Sequence, residues 1–286
     1  MLECMASAPR IAWGRLLRFV FYALFAVALF GFVSRAFILT RSAAPPEHQP
    51  FVYEFKDDGI LHETDTPEHS SSPYWWVDSG GKLMVENGVG KTLYGELPAS
   101  DPWRPRYART SPTDTDRGTH PQNLFRMLTK DAWDNVRIES SFRITADNFS
   151  NSPNRDESNG ILLMSRYRDE NNLYYAGLRV DGHAVIKKKH NGSYVTLAEK
   201  PILSGAYARA AQVNLLPHRE WITLRMDTKT EDGKVTITLF QKGESGEWQE
   251  LLKATDSTNP LTGSHPIGLR TDFMDVEFDN YRAEKI

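Results

Sequence analysis

Apolar and polar residues alternate with a period of two along most of the chain, most clearly from Asn159 to Ile186. Two turn signals divide this segment, one over residues 169–172 and one at Asp181-Gly182. A period of two is typical of strands with one buried face, and Asp-Gly is a dipeptide that tolerates the positive φ angles of tight hairpin turns. The pattern predicts three consecutive antiparallel strands that form a meander.

The same alternation predicts strands over most of the remaining chain, and no apolar run has the period of an ordinary helix. Two long irregular segments, Leu97 to Gln122 and Ala146 to Asn159, interrupt the pattern, and we expect one of them to border a binding site. The chain is therefore predicted to be an all-β sandwich. Its predicted strands, including the three of the meander, are 51–55, 82–86, 124–128, 136–144, 161–167, 174–180, 184–188, 194–198, 221–226, 235–241, 248–254, 267–271 and 276–286.

The N-terminal region contains an apolar run from Phe19 to Val33 that continues to Leu39 and is preceded by three arginines. About twenty apolar residues span a bilayer, and a basic flank stays on the cytoplasmic side. The sequence predicts a cytoplasmic tail over residues 1–18 and a single-pass transmembrane anchor at Phe19–Leu39. The alternative is a cleaved signal peptide with a small-residue site at Ser34-Arg35-Ala36, which would make the protein secreted.

Composition favours one large domain after this segment. The chain has 286 residues, of which 40% are hydrophobic and 25% charged, enough for one core. Proline-containing residues 40–50 are predicted to be a linker, and residues 51–286 an extracytoplasmic domain whose first and last strands pair. A net charge of −3 gives no concentrated positive field, so nucleic acid is not an expected partner. Cys4 is the single cysteine, so no intramolecular disulfide can form.

Five segments carry a resemblance to a known superfamily. Together they resemble the concanavalin A-like lectin/glucanase superfamily, most closely its bacterial laminin G-like and family-sixteen-like extracellular modules. The resemblance covers residues 51–286 and implies a jelly-roll β-sandwich that binds or degrades carbohydrate. The segments are WWVDSGGKLMVENG, LFRMLTKDAWDNVRIESSFRI, NGILLMSRYRDENNLYYAGLRVDGHAVIKKKHNGSYVTLA, WITLRM and IGLRTDFMDVEFDNYRAEKI.

The resemblance also implies a structural calcium ion, held by an acidic residue of the first strand and one of the last. Glu54 and Asp279 are the matching positions, and carboxylate oxygens suit calcium. Hydrolases of the superfamily carry a Glu-x-Asp-x-(x)-Glu motif on a central strand. Here Asp275, Glu277 and Asp279 alternate along the last predicted strand, with Asp at both outer positions. This departure argues against a hydrolase and leaves a solvated edge-strand face as the alternative.

The candidate ligand-binding residues fall into three groups. Trp103 lies in a long loop, where an exposed ring can stack on a sugar, whereas Trp221 and Trp248 lie in alternating strands and are expected in the core. The loop exit Arg117–Arg126 supplies polar groups that hydrogen-bond sugars. Strand faces supply cations and phenols suited to an acidic polysaccharide. The eight candidates are Trp103, His120, Gln122, Arg126, Arg166, Tyr175, Lys187 and Arg225.

Three functions remain open from the sequence. The first is a membrane-anchored, lectin-like domain that binds carbohydrate. The second is a polysaccharide-degrading enzyme of the same fold, as a lyase on a uronate-containing glycan or, with less support, as a glycoside hydrolase. The third is a module that binds another cell-envelope protein. An enzyme needs a groove with a Tyr or His base near an Arg or Gln, whereas a protein-binding module needs an exposed apolar patch.

Overall fold

The computed structural model describes residues 49–286, so the predicted anchor at Phe19–Leu39 lies outside the described residues. Residues 50–286 form one compact unit. In the described part of the chain, every helix is too short or too polar to cross a membrane. The unit consists of two antiparallel sheets, here called sheet A and sheet B, with strands numbered in chain order.

Sheet A has nine strands, in the spatial order β14-β13-β12-β7-β16-β5-β4-β2, with β1 paired to β16. The pairing of β1 with β16 joins Tyr53 to Tyr281 and confirms that the first and last strands of the domain are neighbours. Its strands are β1 Phe51–Tyr53, β2 Gly59–His62, β4 Lys82–Glu86, β5 Val89–Lys91, β7 Val136–Asp147, β12 Ile222–Glu231, β13 Lys234–Lys242, β14 Trp248–Asp256 and β16 Met274–Lys285.

Sheet B has seven strands, in the spatial order β11-β10-β9-β8-β15-β6-β3. The predicted meander is its β8-β9-β10 portion, and Gly182 has the positive φ, 79°, that the turn requires. Its strands are β3 Trp75–Ser79, β6 Leu124–Thr129, β8 Gly160–Asp169, β9 Asn172–Arg179, β10 His183–His190, β11 Ser193–Pro201 and β15 Gly268–Asp272.

Every strand predicted from alternation overlaps a strand of the structure. The short strands β2, β3 and β5 were not predicted. The segment Leu97 to Gln122 also contains an unpredicted helix, α1 (Trp103–Thr110), and two short 3-10 turns occur at Pro67–His69 and Pro121–Asn123. The architecture is mostly β in two antiparallel layers, as in a jelly-roll sandwich, which confirms the predicted class for the described residues.

The core lies between the sheets and is built from the inward positions of both. Phe125 of sheet B stacks on Phe278 of sheet A with ring centroids 5.4 Å apart, and Phe142 meets Phe278 edge-on at 5.8 Å. All three rings are fully buried. Aromatic pairs of this kind add to the free energy gained from burying apolar surface. Because the inner faces meet each other, ligand contacts must come from the outer faces or the loops.

Candidate functional site

A cleft of about 700 Å³ lies on the outer face of sheet B. The pairing register places Arg126, Arg270 and Leu162 side by side on β6, β15 and β8. The next row joins Tyr175 of β9 to Lys187 of β10. Since side chains alternate across a sheet, these outward positions form the floor of the cleft.

Both long irregular segments contribute residues to the cleft, whereas the sequence led us to expect that one of them would border a binding site. The first contributes α1 and the turn after it, including Arg106, Tyr107 and Asp114. The second contributes Asn154 and Ser158. Helix α1 is held in place because Trp103 and Tyr107, one turn apart, pack with Leu93 and Leu97 in a small hydrophobic cluster.

The cleft floor has an apolar layer beneath its polar surface. Leu128, Leu162, Met164 and Val185 point outward from sheet B, yet each is buried. Such side chains are buried on an outer face only if longer side chains cover them, and Tyr175 belongs to this same cluster. The floor is therefore well packed, and the polar groups above it are held by the packing.

One end of the cleft is basic and carries Lys187, Lys189 and Arg270 around two phenol rings. The rings of Tyr175 and Tyr194 meet edge-on, with centroids 6.1 Å apart. The Lys189 ammonium lies 5.0 Å from the Tyr194 centroid, and the Arg270 guanidinium lies 5.7 Å from the Tyr175 centroid. These distances are in the range of cation–π contacts.

The electrostatics of this end shift two pKa values downward. Burial alone would raise the pKa of the Tyr194 phenol, but the charge of Arg270, a hydrogen bond to it and the charge of Lys189 outweigh burial and lower that pKa. Burial and then the charge of Arg179 lower the pKa of Lys187. The lowered pKa of Tyr194 reflects the positive charge of Arg270 and Lys189, whereas the lowered pKa of Lys187 reflects burial first and the charge of Arg179 second.

The other end of the cleft carries carboxylates that are already bonded within the protein. Asp78 forms an ion pair with Arg126, whose Nε is 2.8 Å away, and accepts from the Tyr167 hydroxyl at 2.9 Å. Glu63 accepts from the Gly81 amide at 2.8 Å and from the Tyr107 hydroxyl. Burial raises the pKa of Glu63 although these donors oppose it. This end is acidic, but its charges have partners.

Three of the eight candidate ligand residues, Arg126, Tyr175 and Lys187, lie together in the cleft. Lys187 forms no ion pair within the described residues, whereas Arg126 bridges Asp78 and, at 3.6 Å, Glu170. Their shared location agrees with the sequence-based proposal of a site on one sheet face. Whether they bind a ligand stays a prediction.

Three further candidates come from the first long segment but do not line the cleft. Trp103 is only 8% exposed, packs in the small cluster beside α1 and donates from Nε1 to His62 at 3.3 Å. His120 lies 3.3 Å from Asp116. Gln122 is fully buried and donates to Gly95 O at 2.8 Å and to Asp275 at 3.0 Å. Their contacts hold the loops together.

Arg166 and Arg225 lie away from the cleft. Arg166 was expected on an exposed strand face, but the register of β8 shifts between Ser165 and Asp169, and Arg166 has a positive φ of 52°. This bulge turns its side chain inward, where it is 1% exposed and bonds Asp134 at 2.6 Å. Arg225 projects from the outer face of sheet A and lies 4.0 Å from the Phe240 ring centroid.

The expectation for the tryptophans in strands was wrong. Trp221 is 40% exposed, next to the guanidinium of Arg143 at 4.4 Å, and Trp248 lies half-buried under Arg225 at 4.8 Å. The inward positions of β12 begin at Ile222, so Trp221 points the other way. An outward arginine covers each ring in place of the core.

The acidic residues of the last strand do not lie on a solvated edge. Strand β16 lies between β7 and β5, and Asp275 and Glu277 are buried. Asp275 accepts from the Gly95 amide at 2.8 Å and from Asn148 at 2.9 Å, and Glu277 accepts from the Tyr94 hydroxyl at 2.8 Å. These carboxylates do not line the cleft, which is on the other sheet.

The predicted calcium site at Glu54 and Asp279 stays a prediction. Glu54 is exposed and pairs with Lys56, and Asp279 accepts from the Asn280 amide at 2.6 Å. Among residues 49–286, no group of three or more His, Cys, Asp or Glu side chains is arranged to hold a metal ion. Carbonyl oxygens and water could complete a calcium shell around two carboxylates.

Tyr194 and Arg270 are cleft residues that the candidate set did not include. Tyr194 is 50% exposed and lies on β11, the edge strand at the basic end of the cleft. Arg270 lies in the segment IGLRTD and donates from Nε to Asp272 at 2.9 Å. Alternation marks both as outward. Tyr194 follows Lys189 closely, across the hairpin from β10 to β11, whereas Arg270 is so far from Tyr175 in sequence that the pattern does not reveal their contact.

No protein-family model and no curated protein sequence matches the chain. Solved structures do match. A carbohydrate binding module, CBM66 from Bacillus subtilis, shares 15% identity, covers 74% of this chain and 95% of its own, and gives a TM-score of 0.46. The winged bean acidic lectin shares 9% sequence identity with this chain, and the match covers 82% of this chain and 97% of the lectin with a TM-score of 0.45. The Bacillus licheniformis beta-glucanase shares 12% sequence identity with this chain, and the match covers 83% of this chain and 98% of the glucanase with a TM-score of 0.43.

These three structures have jelly-roll folds of the concanavalin A-like type. The two antiparallel layers described above form a β-sandwich, as the sequence predicted. With identities of 9 to 15% and TM-scores below 0.5, the matches say nothing about ligand or activity. A function for this chain must be argued from its own cleft.

Proposed function

We propose that residues 50–286 bind a carbohydrate chain in the cleft on the outer face of sheet B. The observation that carries the proposal is an open, polar cleft of about 700 Å³ that contains a half-exposed phenol ring, Tyr194. Sugars present apolar C–H faces that stack on such rings and hydroxyls that need hydrogen-bonding groups. Asn154, Ser158 and Lys187 line the same cleft and supply those groups.

The test is glycan binding by the full-length chain and by two matched variants. Tyr194→Ala removes the ring in the cleft and is expected to weaken binding about ten-fold, the effect of losing one stacking contact. Tyr74→Ala is the control, because Tyr74 is also 50% exposed but lies outside the cleft. A polysaccharide panel with affinity electrophoresis measures both. Equal affinity of Tyr194→Ala and the unaltered chain would overturn this site.

One observation favours a second function, a polysaccharide lyase. Lysis by β-elimination needs a cation that neutralises a uronate carboxylate and a base that removes the proton on the adjacent carbon. The electron pair of that C–H bond forms the double bond as the bond to the leaving oxygen breaks, and the oxygen takes a proton. Tyr194, whose pKa is lowered beside Arg270, has the properties of such a base. Ultraviolet absorbance of an unsaturated uronate would reveal the reaction.

A glycoside hydrolase and a protein-binding module have less support. A retaining hydrolase needs two carboxyl groups about 5 to 5.5 Å apart around the scissile bond. The carboxylates that resembled a hydrolase motif, Asp275 and Glu277, lie outside the cleft and are fully engaged. A protein-binding module would need a broad apolar surface, whereas the cleft lining is mostly polar and charged.

We also propose that Phe19–Leu39 anchors the protein in a membrane as a single pass, with the sandwich on the extracytoplasmic side. The support is the length of the apolar run and the arginines that precede it. This location suits a protein that meets polysaccharides outside the cytoplasm.

A further inference from the structure

We propose that the cleft selects an anionic glycan and that the acidic group of the sugar binds at the basic end, among Lys187, Lys189 and Arg270. This inference rests on the proposed carbohydrate binding and specifies the class of ligand. The acidic group is a carboxylate or a sulfate ester, since both are oxyanions that accept from ammonium and guanidinium groups.

Strand geometry places the three cations on one surface. Lys187 and Lys189 are two residues apart on β10, so both side chains leave the sheet on its outer face. Lys187 is paired with Tyr175 across to β9, and Lys189 is paired with Tyr194 across to β11. Arg270 lies over the Tyr175 ring. The cations therefore surround a pair of touching phenol rings.

This group of cations is under-neutralised within the described residues. Lys187 and Lys189 have no ion-pair partner there, and Asp272 pairs with Arg270. Asp156, whose charge acts on Lys187 and on Asp272, also lines the cleft but does not form an ion pair with either lysine. The nearby Glu199 is occupied by Arg179 at 2.8 Å. Adjacent like charges with low solvent exposure repel each other, and an external oxyanion relieves that repulsion.

The rest of the cleft fixes where the oxyanion goes. At the opposite end, Arg126 and Arg106 are already paired with Asp78 and Glu63, so these cations attract a sugar carboxylate less than the unpaired Lys187 and Lys189 do. Half-exposed Tyr194 lies beside the cations and offers a surface for the sugar ring that bears the acidic group. Charge thus favours one direction for the glycan, with its acidic unit toward β11.

The experiment compares ligands that differ only in charge, using the full-length chain. Polygalacturonate is compared with its fully methyl-esterified form, and dextran sulfate with dextran. We expect the charged member of at least one pair to bind at least ten-fold more tightly, and the difference to shrink as salt rises. The two pairs distinguish a carboxylate from a sulfate ester as the recognised group.

Variants assign the effect to the two lysines. Lys187→Gln/Lys189→Gln is expected to lose about ten- to a hundred-fold in affinity for the charged glycan, since hydrogen bonds to charged groups are strong. Lys187→Arg/Lys189→Arg keeps the charge and is expected to bind. Lys253→Gln removes one positive charge from exposed β14 of sheet A and should leave affinity unchanged. Equal denaturation midpoints show that the variants are folded.

The outcomes separate this inference from the function on which it rests. If neutral and charged members bind alike, or if the Gln double variant binds charged glycan as tightly as the unaltered chain, the protein binds carbohydrate but the inference is wrong. If no polysaccharide of either kind binds, the proposed function is wrong as well. Selective binding of charged glycan that the double variant loses and the Arg variant keeps supports both.

Discussion

Three consecutive lysines on β10 have two different roles, set by which way each points. Lys187 and Lys189 face the cleft, while Lys188 points into the sandwich and is 4% exposed. Its ammonium bonds Asp256 at 2.7 Å and Thr258 O at 2.6 Å. Alternation predicts that the middle lysine points inward, but nothing local reveals its partner, 68 residues further along the chain.

The Lys188–Asp256 pair yields a prediction about stability and pH. Lys188→Met leaves Asp256 buried without its cation and is expected to lower the free energy of unfolding by about 3–5 kcal/mol at neutral pH. Burial tends to raise the pKa of Asp256, but hydrogen bonds from Lys188 and Tyr174 outweigh it and lower that pKa. The stabilisation is therefore present above the ordinary aspartate pKa and is lost as pH falls through the lowered value.

Denaturant unfolding of the variant at neutral and acid pH measures the effect. Without Lys188, burial raises the Asp256 pKa, so the difference between variant and unaltered chain should shrink in acid. Lys253→Met on β14 is the control and should change stability by about 0.5 kcal/mol or less. A constant difference at all pH values would show that the pair is not the source of the loss.

At the scale of elements, the strands were predicted and the departures from regular strand geometry were not. Alternation located β8, but the bulge after Ser165 reversed the side on which Arg166 lies. Helix α1 escaped prediction because it is short and contains Pro105. The sequence nevertheless contains two helix signals. Asp101 lies just before the helix, where its carboxylate accepts from the Trp103 amide at 3.0 Å, and Trp103 and Tyr107 are spaced one helical turn apart.

Two loops form one wall of the cleft because aspartates of the first bond the second. Asp114 accepts from the Ser152 hydroxyl and from Asn154 at 3.0 Å, and Asp116 accepts from Ser150 at 2.6 Å. Asp114→Ala removes two of these bonds and is expected to speed amide exchange over residues 150–155 about ten- to a hundred-fold. Glycan affinity should fall several-fold as the wall loosens.

Hydrogen exchange followed by mass spectrometry measures the loop directly. Asp57→Ala, which alters an exposed aspartate outside the cleft, is the control and should leave exchange over residues 150–155 unchanged. The denaturation midpoint of Asp114→Ala should stay close to that of the unaltered chain, because the core between the sheets is untouched. Exchange at the original rate would show that other contacts, such as Arg209 to Ser152 O at 2.6 Å, hold the loop.

At the scale of the whole molecule, the sandwich was predictable and the assembly of the site was not. A period of two is a local property, so it identifies strands and their two faces from sequence. Which strands share a sheet is non-local: Arg126, Tyr175 and Lys187 are brought together, whereas Arg225 is carried to the other sheet. The same non-local pairing put Asp275 at the centre of sheet A instead of an edge.

The predicted anchor concerns the location of the whole protein and can be tested in cells. If Phe19–Leu39 spans the bilayer, the full-length chain should stay in the membrane fraction after alkaline carbonate extraction, because transferring about twenty apolar residues to water is strongly unfavourable. A protease added on the extracytoplasmic side should digest residues 50–286 and spare the tail before residue 19.

Replacing Leu24, Val27 and Leu29 with aspartate is the matched change and should abolish membrane retention, since each charge at a helix centre opposes insertion by about 2.5–3.5 kcal/mol. A shorter, soluble extracytoplasmic product from the unaltered chain would instead establish a cleaved signal peptide with a site near Ser34-Arg35-Ala36.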